Sequence, residues 1–113
     1  MMWERIYLRE AQKDMKKLGG AEREMVIKLV RKVSENPLPA NEGGYGKPLG
    51  NKGGNDLTGL LKMKLNKAGI RIVYTLIRTE TKMIVVVVGV RADDEVYEPA
   101  GKRAEKYGLT RRG

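Results

Sequence analysis

The sequence predicts an α+β fold: a small antiparallel sheet with an N-terminal strand, a helical hairpin packed on one face and a short C-terminal helix. Three observations predict it. Apolar residues recur at helical spacing in the first third of the chain and at strand spacing over 61–88. Gly19-Gly20 separates two helical stretches, as the joint of a hairpin does. The length of 113 residues suits one core, so 1–113 is expected to be a single domain with a basic tail over 104–113.

Each element follows in order. Residues 2–8 read as a first strand, with Trp3, Arg5 and Tyr7 on one face and Ile6 and Leu8 on the other. Residues 9–18 read as a helix through Ala11, Met15 and Leu18, with Lys16 and Lys17 in the last turn, where cations suit the helix dipole. A second helix over 21–35 carries the stripe Met25, Val26, Leu29, Val30, Val33, and Asn36-Pro37 stops it. Residues 37–54 hold six glycines together with Pro39 and Pro48 and read as a loop. They lack the lysine and Ser/Thr spacing of a phosphate-binding loop, so a connection is expected there, not a nucleotide site.

The period then changes. Leu61, Met63 and Leu65 alternate with Lys62 and Lys64. Asn66-Lys67-Ala68-Gly69 is a turn, and 70–78 is a strand with Ile70, Ile72, Tyr74 and Leu76 on its more apolar face. Residues 83–88 are apolar without a break, as in a central strand covered on both faces. These three strands are expected to form an antiparallel meander, with the helical pair on one face and the other face free for function. Residues 93–107 read as helical but interrupted, with Pro99 opening a new turn.

Composition narrows the chemistry. The chain has no Cys and no His, which excludes disulfides, Cys-ligated zinc and any Ser-His or Cys-His nucleophile. Acid–base work falls to Lys, Tyr, Asp, Glu or Arg. The net charge of +9 points to a polyanionic partner, nucleic acid or an acidic protein. No apolar run is long enough to span a membrane, and the first nine residues carry Glu4, Arg5 and Arg9 instead of a signal-peptide core, so a cytoplasmic location is expected.

The candidate site begins with Lys62 and Lys64, roughly 7 Å apart on one strand face. If Leu65 faces Ile70, the hairpin register sets Lys64 opposite Arg71. Like charges facing across strands cost stability, a cost easier to retain where a polyanion binds. Without such a ligand, both lysines are ordinary solvated polar-face residues. Asp93-Asp94-Glu95 could suggest a metal site, but acids at a helix N-terminus more simply complement its dipole. Tyr7, Tyr45, Tyr74 and Tyr107 are further candidates for base stacking, with Tyr74 better placed in the core.

Several stretches together resemble the RelE branch of the RelE/ParE toxin superfamily. They are Trp3, Glu10-Ala11 and the run 13–18; Lys47-Pro48-Leu49-Gly50; the stretch 57–65; Gly69-Ile70-Arg71-Ile72-Val73-Tyr74; and the stretch 89–97. The resemblance runs from Trp3 to Arg103. It implies a RelE-like fold and a metal-independent endoribonuclease that needs no cofactor and cuts mRNA in the ribosomal A site of the 70S ribosome, inhibiting translation. It implies an acidic cognate antitoxin of RelB type as partner, and no membrane. It carries catalytic roles onto Lys62, Lys64, Arg71, Arg91 and Tyr97. Two departures stand out: Val90 where the family often has a basic residue, and Pro99 with Gly101 in the last helix.

The chemistry is consistent on its own terms. Cleavage of RNA by its 2′-OH needs a base, charge relief at phosphorus and an acid for the leaving oxygen. Arg71 and Arg91 suit phosphate oxygens. Lys62, Lys64 or Tyr97 is each a candidate base. Arg91 holds its proton too firmly to be a good acid and suits charge stabilisation better. Two other readings remain: a ParE-like gyrase inhibitor on the same fold, and a non-catalytic nucleic-acid-binding module.

Overall fold

The computed structural model describes residues 2–52, 54–90 and 93–109. Strand β1 (Glu4–Tyr7) leads into helices α1 (Arg9–Lys16) and α2 (Gly20–Val33). Strands β2 (Lys47–Lys52), β3 (Asn55–Leu65), β4 (Ile70–Ile77) and β5 (Lys82–Gly89) follow, and helix α3 (Asp93–Lys106) closes the order. The five strands make one sheet in the order β1-β5-β4-β3-β2. The late meander forms as expected, with β3–β4 and β4–β5 antiparallel. The sheet is mixed, because β1 joins β5 in parallel after the chain has crossed through the two helices.

The register agrees with the hydrophobic pattern. Leu65 faces Ile70, and Lys64 faces Arg71. One face of the sheet presents Leu61, Met63, Ile70, Ile72, Tyr74, Met83, Val85 and Val88 to the hairpin, where Ala11, Met15, Leu18, Val26, Val30 and Val33 meet them. Gly19 caps the start of α2, and its backbone N–H donates to Glu22 Oε1 at 3.2 Å, so the acid of the first turn satisfies that donor. The Tyr74 hydroxyl, buried within this layer, donates to the Pro37 carbonyl at 2.8 Å. Burial pushes that phenol far above the ordinary tyrosine range, so it acts as a fixed donor. Gly46 lets the ring in: a Cβ there would collide with the Tyr74 hydroxyl.

Three expectations change. Residues 37–54 are not all loop, because Lys47–Lys52 pairs antiparallel with β3. Prolines and glycines disguise this strand. Pro48 is tolerated since β2 is an edge strand. Gly50 takes φ 63° at the bulge where pairing jumps from Pro48–Leu61 to Gly50–Leu57. Across the bulge Gly59 has φ 90°, and Thr75 Oγ1 donates to its carbonyl at 2.8 Å.

The second correction concerns Pro99, which lies inside an unbroken α3. It forfeits one backbone hydrogen bond. Burial of Val96, Tyr97, Ala100 and Ala104 on the sheet offsets the loss. The third follows from the second. The other sheet face is not open, since α3 packs there on Leu49, Leu57, Leu60, Val73, Val86 and Val87. Those six apolar residues are exposed to water unless a helix covers them.

Candidate active site

Three strands bring the strand cations together. Lys47 of β2 is the cross-strand partner of Lys62 on β3, and Lys64 is the partner of Arg71 on β4. Opposite residues of paired strands point to the same face, so these four cations form a block on the side that α3 covers. Lys64 and Lys47 are exposed and Arg71 is half-buried. Arg71 Nη1 donates to the Gly69 carbonyl at 2.9 Å, which steadies the guanidinium at the hairpin turn.

Lys62 differs from its neighbours. It is only 4% exposed, an unusual position for an ammonium group. Its Nζ donates to the Tyr97 hydroxyl at 2.8 Å and lies 5.3 Å from the centre of that ring. Tyr97, from the first half of α3, is itself buried. The lysine stem packs in the apolar layer, while its head finds a polar oxygen and a π face. The phenol oxygen accepts from Lys62, so its own proton is directed elsewhere.

Four of the five sequence-predicted residues are therefore described, and two of them, Lys62 and Tyr97, touch. Lys64 and Arg71 sit as cross-strand neighbours beside that pair. Arg91 lies outside the described residues. The side chains of Asp93, Asp94 and Glu95 do too, although Asp93 does open α3.

Sequence reading missed two features. Lys47 was hidden in the Gly-rich stretch whose strand character went unread. The second feature is the clamp that holds α3. Arg103 Nη1 donates to Asp14 Oδ2 at 2.7 Å and to the Val86 carbonyl at 2.9 Å, and Asp14 Oδ2 also accepts from the Val88 amide at 3.0 Å. Strand β1 ends opposite Val85, so the pair satisfies the edge of β5 just beyond it. A signal was present. Asp14 falls within the apolar stripe Ala11, Met15, Leu18, and Arg103 falls beside Ala100 and Ala104. Opposite charges on two core-facing stripes suggest a partnership.

The outer end of α3 is tied as well. Lys106 Nζ and the Tyr107 hydroxyl donate to Glu10 at 2.9 and 2.8 Å. These hydrogen bonds hold the Glu10 carboxyl down at about 2.

No protein-family model matches the chain. Among curated proteins, the mRNA interferase toxin RelE of Escherichia coli (strain K12) is 34% identical over 97 residues, covering 82% of this chain and 87% of the relative. The chain belongs to the RelE toxin family. The mRNA interferase RelE of Shigella flexneri matches to the same extent. Solved RelE structures agree in fold. An arginine-to-alanine double mutant of E. coli toxin RelE in the free state gives a TM-score of 0.70 at 31% identity, covering 91% of this chain and 98% of the other. A chain of the intact E. coli RelBE toxin–antitoxin complex gives a TM-score of 0.60 at 27% identity, covering 80% of this chain and 98% of the other. The lysine–tyrosine contact, the Lys64–Arg71 pair and the Asp14–Arg103 clamp thus belong to a RelE-type toxin.

Proposed function

We propose that this RelE-family chain is the toxin of a type II toxin–antitoxin system and acts as an mRNA interferase, cutting mRNA in the ribosomal A site without a metal. The buried Lys62–Tyr97 contact beside Lys64 and Arg71 carries the assignment of the catalytic face. The ammonium's hydrogen bond fixes where the phenol oxygen sits. It makes sense where a tyrosine must be held at a fixed angle beside a phosphate. The RelE relatives that match this chain bear the name mRNA interferase, which supports the same reaction class.

The roles divide by position. Lys62 positions Tyr97. Lys64 and Arg71 bind non-bridging phosphate oxygens. Arg91 relieves charge at the crowded phosphorus. The 2′-oxygen forms a bond to phosphorus as the bond to the 5′-oxygen breaks, leaving a 2′,3′-cyclic phosphate and a 5′-hydroxyl. Tyr97 and Lys64 share the proton traffic: one removes the 2′ proton and the other returns a proton to the 5′-oxygen.

The partners follow from charge. The ribosome and its mRNA meet the cationic face, and an acidic antitoxin of RelB type neutralises it. Structures of RelE bound to RelB show that such a pairing exists in the family. No helix among the described residues is long and apolar enough to cross a membrane, which suits a cytoplasmic enzyme.

The test is a reconstituted translation reaction with purified ribosomes and a defined mRNA. Wild type should yield fragments with cyclic-phosphate ends. Lys64→Ala, Arg71→Ala, Arg91→Ala and Tyr97→Phe should each cut more slowly. Loss of the base should remove the acid limb of the pH–rate profile, and loss of the acid the alkaline limb. Intact mRNA with wild type would refute the nuclease reading.

A further inference from the structure

A groove of about 380 Å³ opens where the sheet edge meets the C-terminal half of α2. Its origin is topological. Pairing of β2 with β3 begins at Lys47–Lys62, while β3 continues to Leu65. The backbone edge of β3 over Met63, Lys64 and Leu65 therefore has no β2 partner, and the groove opens beside that edge. Leu29 and Val33 supply the wall from α2.

The groove's chemistry is one-sided. Lys32, Lys47, Lys62 and Lys64 line it, and among the described residues no acidic side chain does. Tyr45 also lines it and is 54% exposed, the most exposed of the large hydrophobic side chains among the described residues. The segment under Tyr45 is firmly held: its backbone amide donates to the Asn36 carbonyl at 3.1 Å, and Gly46 beside it donates to the Leu38 carbonyl at 3.1 Å. An exposed aromatic ring on a held backbone, set among lysines, is an arrangement that binds single-stranded nucleic acid, with phosphates on the cations and a base on the ring. The groove is also continuous with the catalytic face, since Lys62 both lines it and holds Tyr97.

We propose that this groove is an RNA subsite that holds the single strand next to the cleaved phosphodiester. Lys32 and Lys47 carry its phosphates, and Tyr45 stacks on one of its bases. The inference rests on the nuclease reading for its biological meaning but not for its test, which reads binding and not cleavage.

The probe is a short single-stranded RNA with 2′-O-methyl sugars, which cannot be cut. Titrated into the full chain and followed by NMR, it should move the Tyr45 ring and Lys47 amide signals, a readout that tolerates weak binding. Tyr45→Ala should weaken binding by about 5- to 150-fold, the range for losing one stacked base, while Tyr45→Phe binds as wild type. Removing Lys32 and Lys47 together should flatten the salt dependence by about 1.4 in log–log slope, from about 0.7 per phosphate contact. A control that removes Lys13 and Lys16 on α1 should leave that slope unchanged.

Signal changes that bypass Tyr45 and Lys47, or equal affinity in Tyr45→Ala, would overturn the proposal while leaving the nuclease reading intact. Loss of binding to an acidic antitoxin peptide with RNA affinity unchanged would also overturn it, because the occupant would then be protein. RNA binding at the groove in a chain that cuts no mRNA would instead retain the subsite and refute the nuclease.

Discussion

The two faces of the sheet are built to different rules. The hairpin face is apolar throughout, and the polar group buried in its middle, the Tyr74 hydroxyl, is satisfied by a backbone carbonyl. The α3 face mixes an apolar patch with Lys62, Tyr97 and the half-buried Arg71. Its helix carries small residues, Ala100, Gly101 and Ala104, and an internal proline. It is held at its margins by polar clamps as well as by packing. On the proposed function, stability and chemistry fall on opposite sides of one sheet. The hairpin face meets the polar demand of Tyr74 with a backbone carbonyl, so its packing is not compromised. The α3 face accepts a buried cation, which the proposed function explains by the work of Lys62 and Tyr97 on RNA.

That contrast can be broken or sharpened by substitution. The largest effect should come from Lys62→Met, which keeps the stem and removes the ammonium. Cleavage should fall by about 10²- to 10⁴-fold, the usual loss when an acid–base group is disabled. Thermal stability should change little by comparison, because the side-chain stem keeps its packing. A large fall in melting temperature would mean that Lys62 is a structural residue. On the hairpin face, Ile72→Ala should do the reverse. It should cost about 2–5 kcal/mol in denaturant unfolding, with cleavage per folded molecule little changed.

A smaller effect should follow from Arg103→Ala, which leaves Asp14 and the Val86 carbonyl without their shared donor. Loss of these charge-assisted bonds should cost about 1.5–3 kcal/mol of α3 docking. Hydrogen exchange should quicken across α3 and the end of β5, while the hairpin amides stay protected. Uniform acceleration over both faces would contradict the separation.

The smallest effect concerns Glu10. Its carboxyl drops from 4.5 to about 2 when Lys106 and Tyr107 bind it. A depressed carboxylate stabilises the fold above its unfolded value, and that support is lost as pH falls from about 4.5 toward 2. Exchange at the C-terminal end of α3 should therefore quicken over that window in wild type. Glu10→Gln should remove the pH dependence there.

Much of this contrast was legible in the sequence. Period-2 alternation set the β3–β4 register, and the register set Lys64 against Arg71. The hairpin face followed from helical spacing. What escaped detection was local pattern overridden by tertiary packing. Strand β2 is built from Pro48 and Gly50, residues that signal a loop unless an edge position and a bulge are already known. Pro99 signals a break unless the stripe around it has a sheet to lie on. The depth of Lys62 could not be read, because alternation alone places it on a polar face, and only α3 buries it. The family resemblance named the five candidate residues, but the contact between Lys62 and Tyr97 emerged only from the fold.

The central claim is that the Lys62–Tyr97 pair, and not basic charge alone, cuts mRNA. The most direct measurement maps transcript 5′ ends by sequencing in cells expressing wild type or Tyr97→Phe, which keeps charge and ring but removes the hydroxyl. The account predicts new ends within translated regions for wild type and a strong loss of them in the variant, with both proteins folded and equally abundant. Equal cleavage by Tyr97→Phe, or growth arrest by wild type with transcripts intact, would contradict it.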